Sequence, residues 1–312
     1  MKTLFRLVPL PLLAMPALAQ EAAPAPPAPP MVERAPDLSP DSVGRGPWPA
    51  MKEVDPALPD HVIYHPRDMK AYGTRKLGVL VWGNGGCRAD GASARHHLAQ
   101  VASYGYIAIA PGGIRSGPGA PPPEPRTPDM GVQTQAENVR AGLDWIMAEN
   151  ARKGSRWYRR IDTKAVAVAG HSCGGLQALQ VASDPRIRTV IVHNSGVFTD
   201  GTNPIKGITV DKSLLKTLHT PVLYVLGGKG DVAWPNGSDD VQQIAHVPAM
   251  MASLDVGHGG TFRQPDGGAV GVVAVNWLNW RLRGDKKAAR WFSGADCTLC
   301  TDKAWTVVRK AL

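Results

Sequence analysis

After its first twenty residues, the 312-residue sequence has no apolar run of the roughly 20 residues that a membrane-spanning helix needs. It also has no internal repeat, and no linker-like segment divides the part of the sequence after residue 50, so we expect one folded domain. Its basic residues are scattered rather than gathered into one stripe, although the formal net charge is +9. These absences argue against a membrane-spanning protein and against nucleic acid as the main partner.

The N-terminus has the features of a secretory signal. Lys2 and Arg6 precede an apolar stretch that closes on Ala-Leu-Ala, so we expect cleavage before Gln20. A membrane anchor is the alternative, but prolines interrupt the stretch and it is short for a bilayer. The sequence therefore predicts a signal peptide at residues 1–19 and a secreted or periplasmic protein.

A stretch rich in proline and alanine follows at residues 20–50. It has few large apolar residues, so it cannot bury enough surface to offset the entropy that is lost on ordering. We expect a disordered arm there. The folded domain is placed at residues 51–312, with a cysteine-containing tail at its C-terminal end.

Short apolar segments alternate with helix-like segments from Leu77 onward. Segments such as "KLGVLVWGNGG", "YIAIAPGG", "AVAVAG" and "PVLYVLGG" are typical of buried strands, and "TQAENVRAGLDWIMAENA" is typical of a helix. This alternation predicts an α/β fold, with a mostly parallel, twisted sheet covered by helices on both faces. Ligands of such sheets bind beyond the carboxyl ends of the strands, so reactive residues are expected at the glycine-rich strand ends.

One such strand end reads "GHSCG", residues 170–174, and fits the pattern G-x-S-x-G. Between a strand and a helix, this pattern predicts a sharp turn that lifts a serine hydroxyl above the sheet. The N-terminus of the following helix then favours developing negative charge. A glycine-rich turn with a capping serine is the plainer alternative. The strand-turn-helix context favours Ser172 as a nucleophile.

A nucleophilic serine needs a histidine to accept its proton and a carboxylate to orient that histidine. Asp231 follows the predicted strand "PVLYVLGG", and His258 follows the next one, "PAMMASLDVG". Both lie where loops leave the carboxyl edge, so we predict Asp231 as the acid and His258 as the base. The other candidates are expected elsewhere. Asp239, Asp240 and Asp255 are expected to be surface or turn carboxylates. Of the histidines, His96 and His97 are expected on a helix, His171 in the turn with its ring away from the base position, His193 in the core and His246 at the opposite edge of the sheet.

The glycine-rich loop "VWGNGGC", residues 81–87, follows the first predicted parallel strand. A developing oxyanion needs two backbone donors, one from the residue after the nucleophile and one from such a loop. We predict Cys173 as the first donor and Asn84 as the second, with Gly85 and Gly86 as alternatives for the second.

The segments "WGNGG", "GHSCGG", "LGGKGD" and "GHGGTF" together resemble the α/β-hydrolase superfamily, and within it the secreted cutinase-like and dienelactone-hydrolase-like esterases. The resemblance covers about residues 77–282. It implies the α/β-hydrolase fold and a serine esterase, with Ser172, Asp231 and His258 in the catalytic triad and Asn84 and Cys173 at the oxyanion hole. No cofactor and no metal are expected. Cutinase-like polyesterases usually carry methionine at position 173, so their polymer substrates are not carried over.

Four cysteines in an exported chain indicate two disulfides, with three possible connectivities. Cys297 and Cys300 can close a local loop in the tail, and a zinc site is disfavoured because no second pair stands nearby. Cys87 and Cys173 meet if the strands before them are neighbours, as they are in the superfamily that the chain resembles. A bridge there would fix the spacing of the two oxyanion donors, and two buried free thiols are the alternative.

The segment between the sixth and seventh strands is too short for a cap domain, so an open site is expected. The proline-rich loop "RSGPGAPPPEPRTPDM" would form one wall. Trp82 and Trp234 are candidate substrate-binding residues, with ordinary packing as the alternative. The predicted substrate is a small-molecule or polymeric ester. A peptidase or amidase on the same scaffold and a non-catalytic binding protein are the alternative functions.

Overall fold

A computed structural model describes residues 39–122 and 131–312. The predicted signal peptide, most of the predicted arm and residues 123–130 of the proline-rich loop lie outside the described residues. The described end of the arm contacts the domain, since the Ser42 hydroxyl lies 2.8 Å from His96 Nδ1 and the Arg45 backbone N–H donates to Gln100 Oε1 at 2.8 Å. Contacts with the domain therefore begin before the predicted boundary at residue 51.

The described residues form one nine-stranded sheet. Its strands are β1 (Ala50–Asp55), β2 (Leu58–Pro66), β3 (Leu77–Gly83), β4 (Tyr106–Pro111), β5 (Ile161–His171), β6 (Thr189–His193), β7 (Val222–Leu226), β8 (Ala249–Leu254) and β9 (Trp305–Lys310). Their order in the sheet is β1-β2-β4-β3-β5-β6-β7-β8-β9. The central strands from β4 to β8 pair in parallel, whereas β1, β2 and β9 pair antiparallel at the two sides. The predicted mostly parallel α/β sheet is confirmed.

The helices fill the connections between strands. They are α1 (Met69–Tyr72), α2 (Arg95–Ser103), α3 (Ala136–Ala151), α4 (Cys173–Val181), α5 (Trp234–Gln243), α6 (Gly268–Arg283), α7 (Lys286–Ala289) and α8 (Thr298–Thr301). Local sequence sets several ends: Asp68 caps α1, Gln135 and Asn138 form a capping box at α3, and Gly284 ends α6 in a left-handed conformation.

Two apolar layers cover the sheet, one on each face, so its central strands are buried on both sides. In β3, Val79 and Val81 face the layer formed by α3 and α4, whereas Leu80 and Trp82 face the layer formed by α2 and α6. All seven residues of β3 are buried. The near-continuous apolar run that marks a parallel strand in the sequence therefore serves two cores at once.

Residues 194–221, between β6 and β7, contain one short 3-10 helix, Lys212–Thr217, and no added domain. This segment therefore contains no cap domain, as the sequence predicts. Among the helices of the described ranges, none has the length and apolar character that crossing a bilayer requires.

Candidate active site

Ser172 lies at the turn between β5 and α4, where the backbone has φ 53° and ψ −124°. A positive φ is unfavourable for a residue with a side chain, so the surrounding contacts must hold this turn. One of them is the Ser172 backbone N–H, which donates to the carbonyl of His193 in the neighbouring strand at 2.9 Å. The turn holds Ser172 at the carboxyl edge of the sheet.

The turn also requires glycine at two positions where backbones approach closely. A Cβ added to Gly170 would overlap the Gly174 carbonyl, and a Cβ added to Gly174 would overlap the Gly83 carbonyl. The first turn of α4 therefore packs directly against the end of β3. This contact places the residue after Ser172 beside the glycine-rich loop that follows β3.

The structure brings together the three residues that the sequence predicts as nucleophile, base and acid. Ser172 Oγ lies 2.8 Å from His258 Nε2, and His258 Nδ1 lies 2.7 Å from Asp231 Oδ1. In the tautomer that fits both contacts, Nδ1–H donates to the carboxylate and Nε2 accepts from the serine hydroxyl. His258 can therefore accept the proton of Ser172.

Asp231 is buried, and four donors surround its carboxylate. Oδ1 accepts from His258 and from the backbone N–H of Ala233 at 2.9 Å, and Oδ2 accepts from Asn194 Nδ2 at 2.8 Å and the backbone N–H of Gly227 at 3.0 Å. Burial by itself raises the pKa of Asp231, but these hydrogen bonds outweigh it and lower the pKa to about 2. The carboxylate therefore stays ionised at neutral pH.

The sequence did not predict two side chains, His171 and Asn194, as part of the site beside His258. His171 Nε2 donates to the carbonyl of His258 at 2.8 Å, which agrees with the prediction that His171 is not itself the base. Burial lowers the pKa of His171 to about 4. Asn194 donates both to Asp231 and to the carbonyl of Gly257, the latter at 3.1 Å. Its position in "HNSG" after β6 was the available signal, because that strand end also lies at the carboxyl edge.

The two predicted oxyanion donors lie close to each other. A Cβ added to Gly174 would lie only 2.6 Å from the Asn84 backbone nitrogen, so the loop after β3 runs against the start of α4. The Asn84 side chain is used to fix this loop, since Nδ2 donates to the carbonyls of Pro111 at 2.7 Å and Arg88 at 2.9 Å. Within the described part of the chain, the backbone N–H groups of Asn84 and Cys173 donate to no protein acceptor.

A disulfide joins the same two segments. Cys87 and Cys173 are bonded, both are buried, and their Cα atoms lie 5.3 Å apart. Cys297 and Cys300 form the second bridge, with Cα atoms 4.9 Å apart. Both predicted pairings are confirmed. The first pairing follows from the adjacency of β3 and β5, whose ends carry the two loops.

The two tryptophans predicted at the substrate site differ in position. Trp82 is fully buried in the core, where its ring packs against His97, His193 and Phe262 at centroid distances of 5.2, 5.5 and 5.8 Å. Its side chain points into the layer formed by α2 and α6, which fits the alternative of ordinary packing. Trp234 is partly buried at the start of α5, and its backbone N–H donates to the carbonyl of Asp231 at 2.9 Å.

Asp240 also differs from its interpretation as a surface or turn carboxylate. It is fully buried and accepts from the backbone N–H of Val197 at 2.8 Å, from Tyr224 Oη at 3.1 Å and from Lys212 Nζ at 2.6 Å. Burial raises its pKa to about 6, against the effect of Lys212. Asp240 therefore links α5 to the loop after β6, and both segments contact Asp231 through Trp234 and Asn194.

No cluster of three or more His, Cys, Asp or Glu residues suited to a metal ion occurs in ranges 39–122 and 131–312. No protein-family model matches the sequence. A search of curated proteins gives no significant match either.

Proposed function

We propose that the protein is a serine hydrolase with the α/β-hydrolase fold that cleaves carboxylic esters. The observation that carries this proposal is the continuous hydrogen-bonded chain from Ser172 through His258 to Asp231. The two unengaged backbone N–H groups of Asn84 and Cys173 beside Ser172 support it, because acyl transfer needs donors for a developing oxyanion.

In the proposed mechanism, His258 Nε2 takes the proton of Ser172 as Oγ attacks the ester carbonyl carbon. The carbonyl oxygen becomes an oxyanion that accepts from Asn84 and Cys173. The tetrahedral intermediate then collapses, the ester C–O bond breaks, and His258 gives its proton to the departing alcohol. Water attacks the acyl-enzyme by the same route in reverse, which releases the acid and restores Ser172.

Asp231 remains ionised throughout this cycle. Its lowered pKa means that proton transfer from His258 to the carboxylate is unfavourable, so Asp231 orients the imidazole and stabilises the imidazolium. The oxyanion donors supply the other large contribution, since loss of one such donor costs about 10²–10³-fold in kcat in serine hydrolases.

The size of the ester is left open by the surroundings of the site. Residues 194–221 add no cap domain, and a site without a cap suits a bulky or polymeric ester as well as a small one. Two disulfides fit an oxidising compartment, so we propose a secreted or periplasmic location.

The test compares wild-type protein, Ser172→Ala and the control Ser293→Ala against p-nitrophenyl esters from acetate to palmitate, with an anilide and a polyester alongside. Wild type and the control should hydrolyse esters at equal rates and react with an organophosphonate, and Ser172→Ala should do neither. Faster cleavage of the anilide would indicate the amidase alternative. Wild-type protein without hydrolysis or phosphonylation would favour a non-catalytic binding protein.

A further inference from the structure

The loop that carries the base has little secondary structure of its own to fix it. We define the base loop as residues 255–262. The ladder between β7 and β8 ends at the pair Leu226 and Ser253, so His258 lies several residues beyond the sheet. The carbonyl of Gly227 accepts from the backbone N–H groups of Val256 at 3.1 Å and Gly257 at 2.7 Å, which fixes the start of the loop.

Beyond that point, two side chains hold the main chain of the base loop. The carbonyl of Gly257 accepts from Asn194 Nδ2 at 3.1 Å as well as from the backbone N–H of Gly260 at 3.1 Å, and the carbonyl of His258 accepts from His171 Nε2 at 2.8 Å. Within the described residues, His171 is the sole hydrogen-bond donor to the His258 carbonyl. Consecutive peptide groups of the base loop therefore accept from side chains at the ends of two different strands: the last residue of β5 and the residue that follows β6.

Both donors come from rigid positions. His171 is the last residue of β5, it pairs with His193 at the end of β6, and Asn194 follows directly. His171 also precedes Ser172, so one strand end carries both the nucleophile and a contact to the base. The distance between Ser172 and His258 is therefore set through the sheet as well as through the base loop.

The chemistry of His171 suits this role. Its ring centroid lies 5.4 Å from that of His258, and Phe262 packs against it at 4.8 Å. Burial is the largest effect on its pKa and keeps the ring neutral at neutral pH, and His258, Asp231 and Arg263 are the titratable or charged groups that act on it. A neutral donor fixes the carbonyl without placing a second positive charge beside the imidazolium that forms on His258.

We propose that His171 and Asn194 are positioning residues that together clamp the base loop, so that His258 Nε2 stays within hydrogen-bond reach of Ser172. The proposal rests on the proposed function for its catalytic consequence, and on the contacts alone for the clamp itself. A displacement of about 1 Å at a reacting group can cost about 10²-fold in rate.

The test uses the full-length protein and four variants. His171→Leu removes the donor, and His171→Gln keeps an N–H group at a similar reach. Asn194→Ala removes the second donor and also a donor to Asp231, so for this variant the hydrogen exchange of the base loop, and not the rate, tests the clamp. His61→Leu is the matched control, because the buried His61 ring also lies in hydrogen-bond contact with a carbonyl at 2.8 Å, that of Asn138 in α3. The double variant His171→Leu/Asn194→Ala completes the set.

Two readouts are measured on each protein: amide hydrogen exchange of the base loop, and the second-order rate of phosphonylation between pH 5 and 9. His171→Leu and Asn194→Ala should each raise exchange of residues 255–262 and slow phosphonylation by about 10-fold to 100-fold. The double variant should be slower still, and His171→Gln should stay within about threefold of wild type. The midpoint of the pH profile should not move, since His171 is neutral across the range.

Unchanged exchange of the base loop in both His171→Leu and Asn194→Ala would overturn the clamp, whatever happens to the rate. A His171→Gln protein that is as slow as His171→Leu, with the same unfolding temperature, would show that ring packing matters and not the hydrogen bond. Wild-type protein that does not react with the phosphonate would refute the serine hydrolase instead, and the exchange data would still decide the clamp.

Discussion

Replacing Cys87 and Cys173 by serine removes a covalent link between the loop after β3 and the first turn of α4. The bridge spans a sequence separation of 86 residues. In the chain-entropy treatment, closing a loop of this length destabilises the unfolded state by about 4.6 kcal/mol at 25 °C. The Cys297–Cys300 bridge spans a separation of 3 residues and is worth about 1.6 kcal/mol by the same formula.

Loss of the first bridge should also lower turnover, because it releases the two proposed oxyanion donors from a fixed spacing. The backbone N–H groups survive the substitution, so the loss should be smaller than that for deleting a donor, about 10-fold to 100-fold in kcat. KM should change little, since the donors act mainly in the transition state. The second bridge lies in the tail, and its loss should leave kcat unchanged.

The assay therefore compares Cys87→Ser/Cys173→Ser with the matched control Cys297→Ser/Cys300→Ser. Urea unfolding gives the free energy of unfolding, and ester hydrolysis is measured at a temperature where circular dichroism shows both variants folded. Dithiothreitol-treated wild type should behave like the first variant. A first variant that is folded and turns over at the wild-type rate would refute the idea that the bridge aligns the donors.

Three further predictions follow from charges and close contacts. Asp231→Asn should lower kcat by about 10⁴-fold. The pKa of Asp231 is about 2 in the folded state against an ordinary 3.8, so its charge stabilises the fold by on the order of 2 kcal/mol above pH 4, and this stabilisation is lost as the pH falls towards 2. In urea unfolding, the difference in free energy of unfolding between wild type and Asp231→Asn should therefore be smaller at pH 2.5 than at pH 5. A constant difference would contradict this prediction. Burial lowers the pKa of His97 to about 3 from 6.5, so between these pH values the unfolded chain binds a proton that the folded chain does not, and the free energy of unfolding should fall as the pH drops from 6.5 towards 3. In chemical denaturation between pH 7 and 5, His97→Phe should reduce the slope of the free energy of unfolding against pH. Equal slopes in the two proteins would refute this prediction. Gly174→Ala, whose Cβ would overlap the Gly83 carbonyl, should cost about 1–3 kcal/mol in thermal unfolding, whereas Gly113→Ala, where a Cβ meets nothing within 4 Å, should not; equal midpoints would contradict the close approach.

The parallel part of the sheet was predictable because a strand buried on both faces has a near-continuous apolar sequence. The antiparallel strands were not predicted. β1 and β9 are only partly buried and carry charged residues such as Lys52 and Arg309, so their hydrophobic pattern is weak. Edge strands of this kind depend on pairing with a neighbour, which local sequence does not encode.

The three residues of the proposed triad were found from their positions after successive strands. Trp82 was a candidate for the site because it lies near a strand end, whereas the alternation of side chains along β3 turns it into the core. Asp240 and Asn194 depend on tertiary contacts. Asp240 is buried by Lys212 and Tyr224, and Asn194 reaches Asp231 only through the assembled sheet.

The tail gives β8 a neighbour on its outer side. β9 pairs with β8 along its whole length, from Ala249 with Lys310 to Leu254 with Trp305. Without it, the strand that leads to the base would expose a row of unpaired backbone groups, which is a template for association between molecules. β8 is almost entirely buried and apolar, whereas β9 is half exposed and carries charged residues, so a chain truncated before β9 is expected to self-associate through β8.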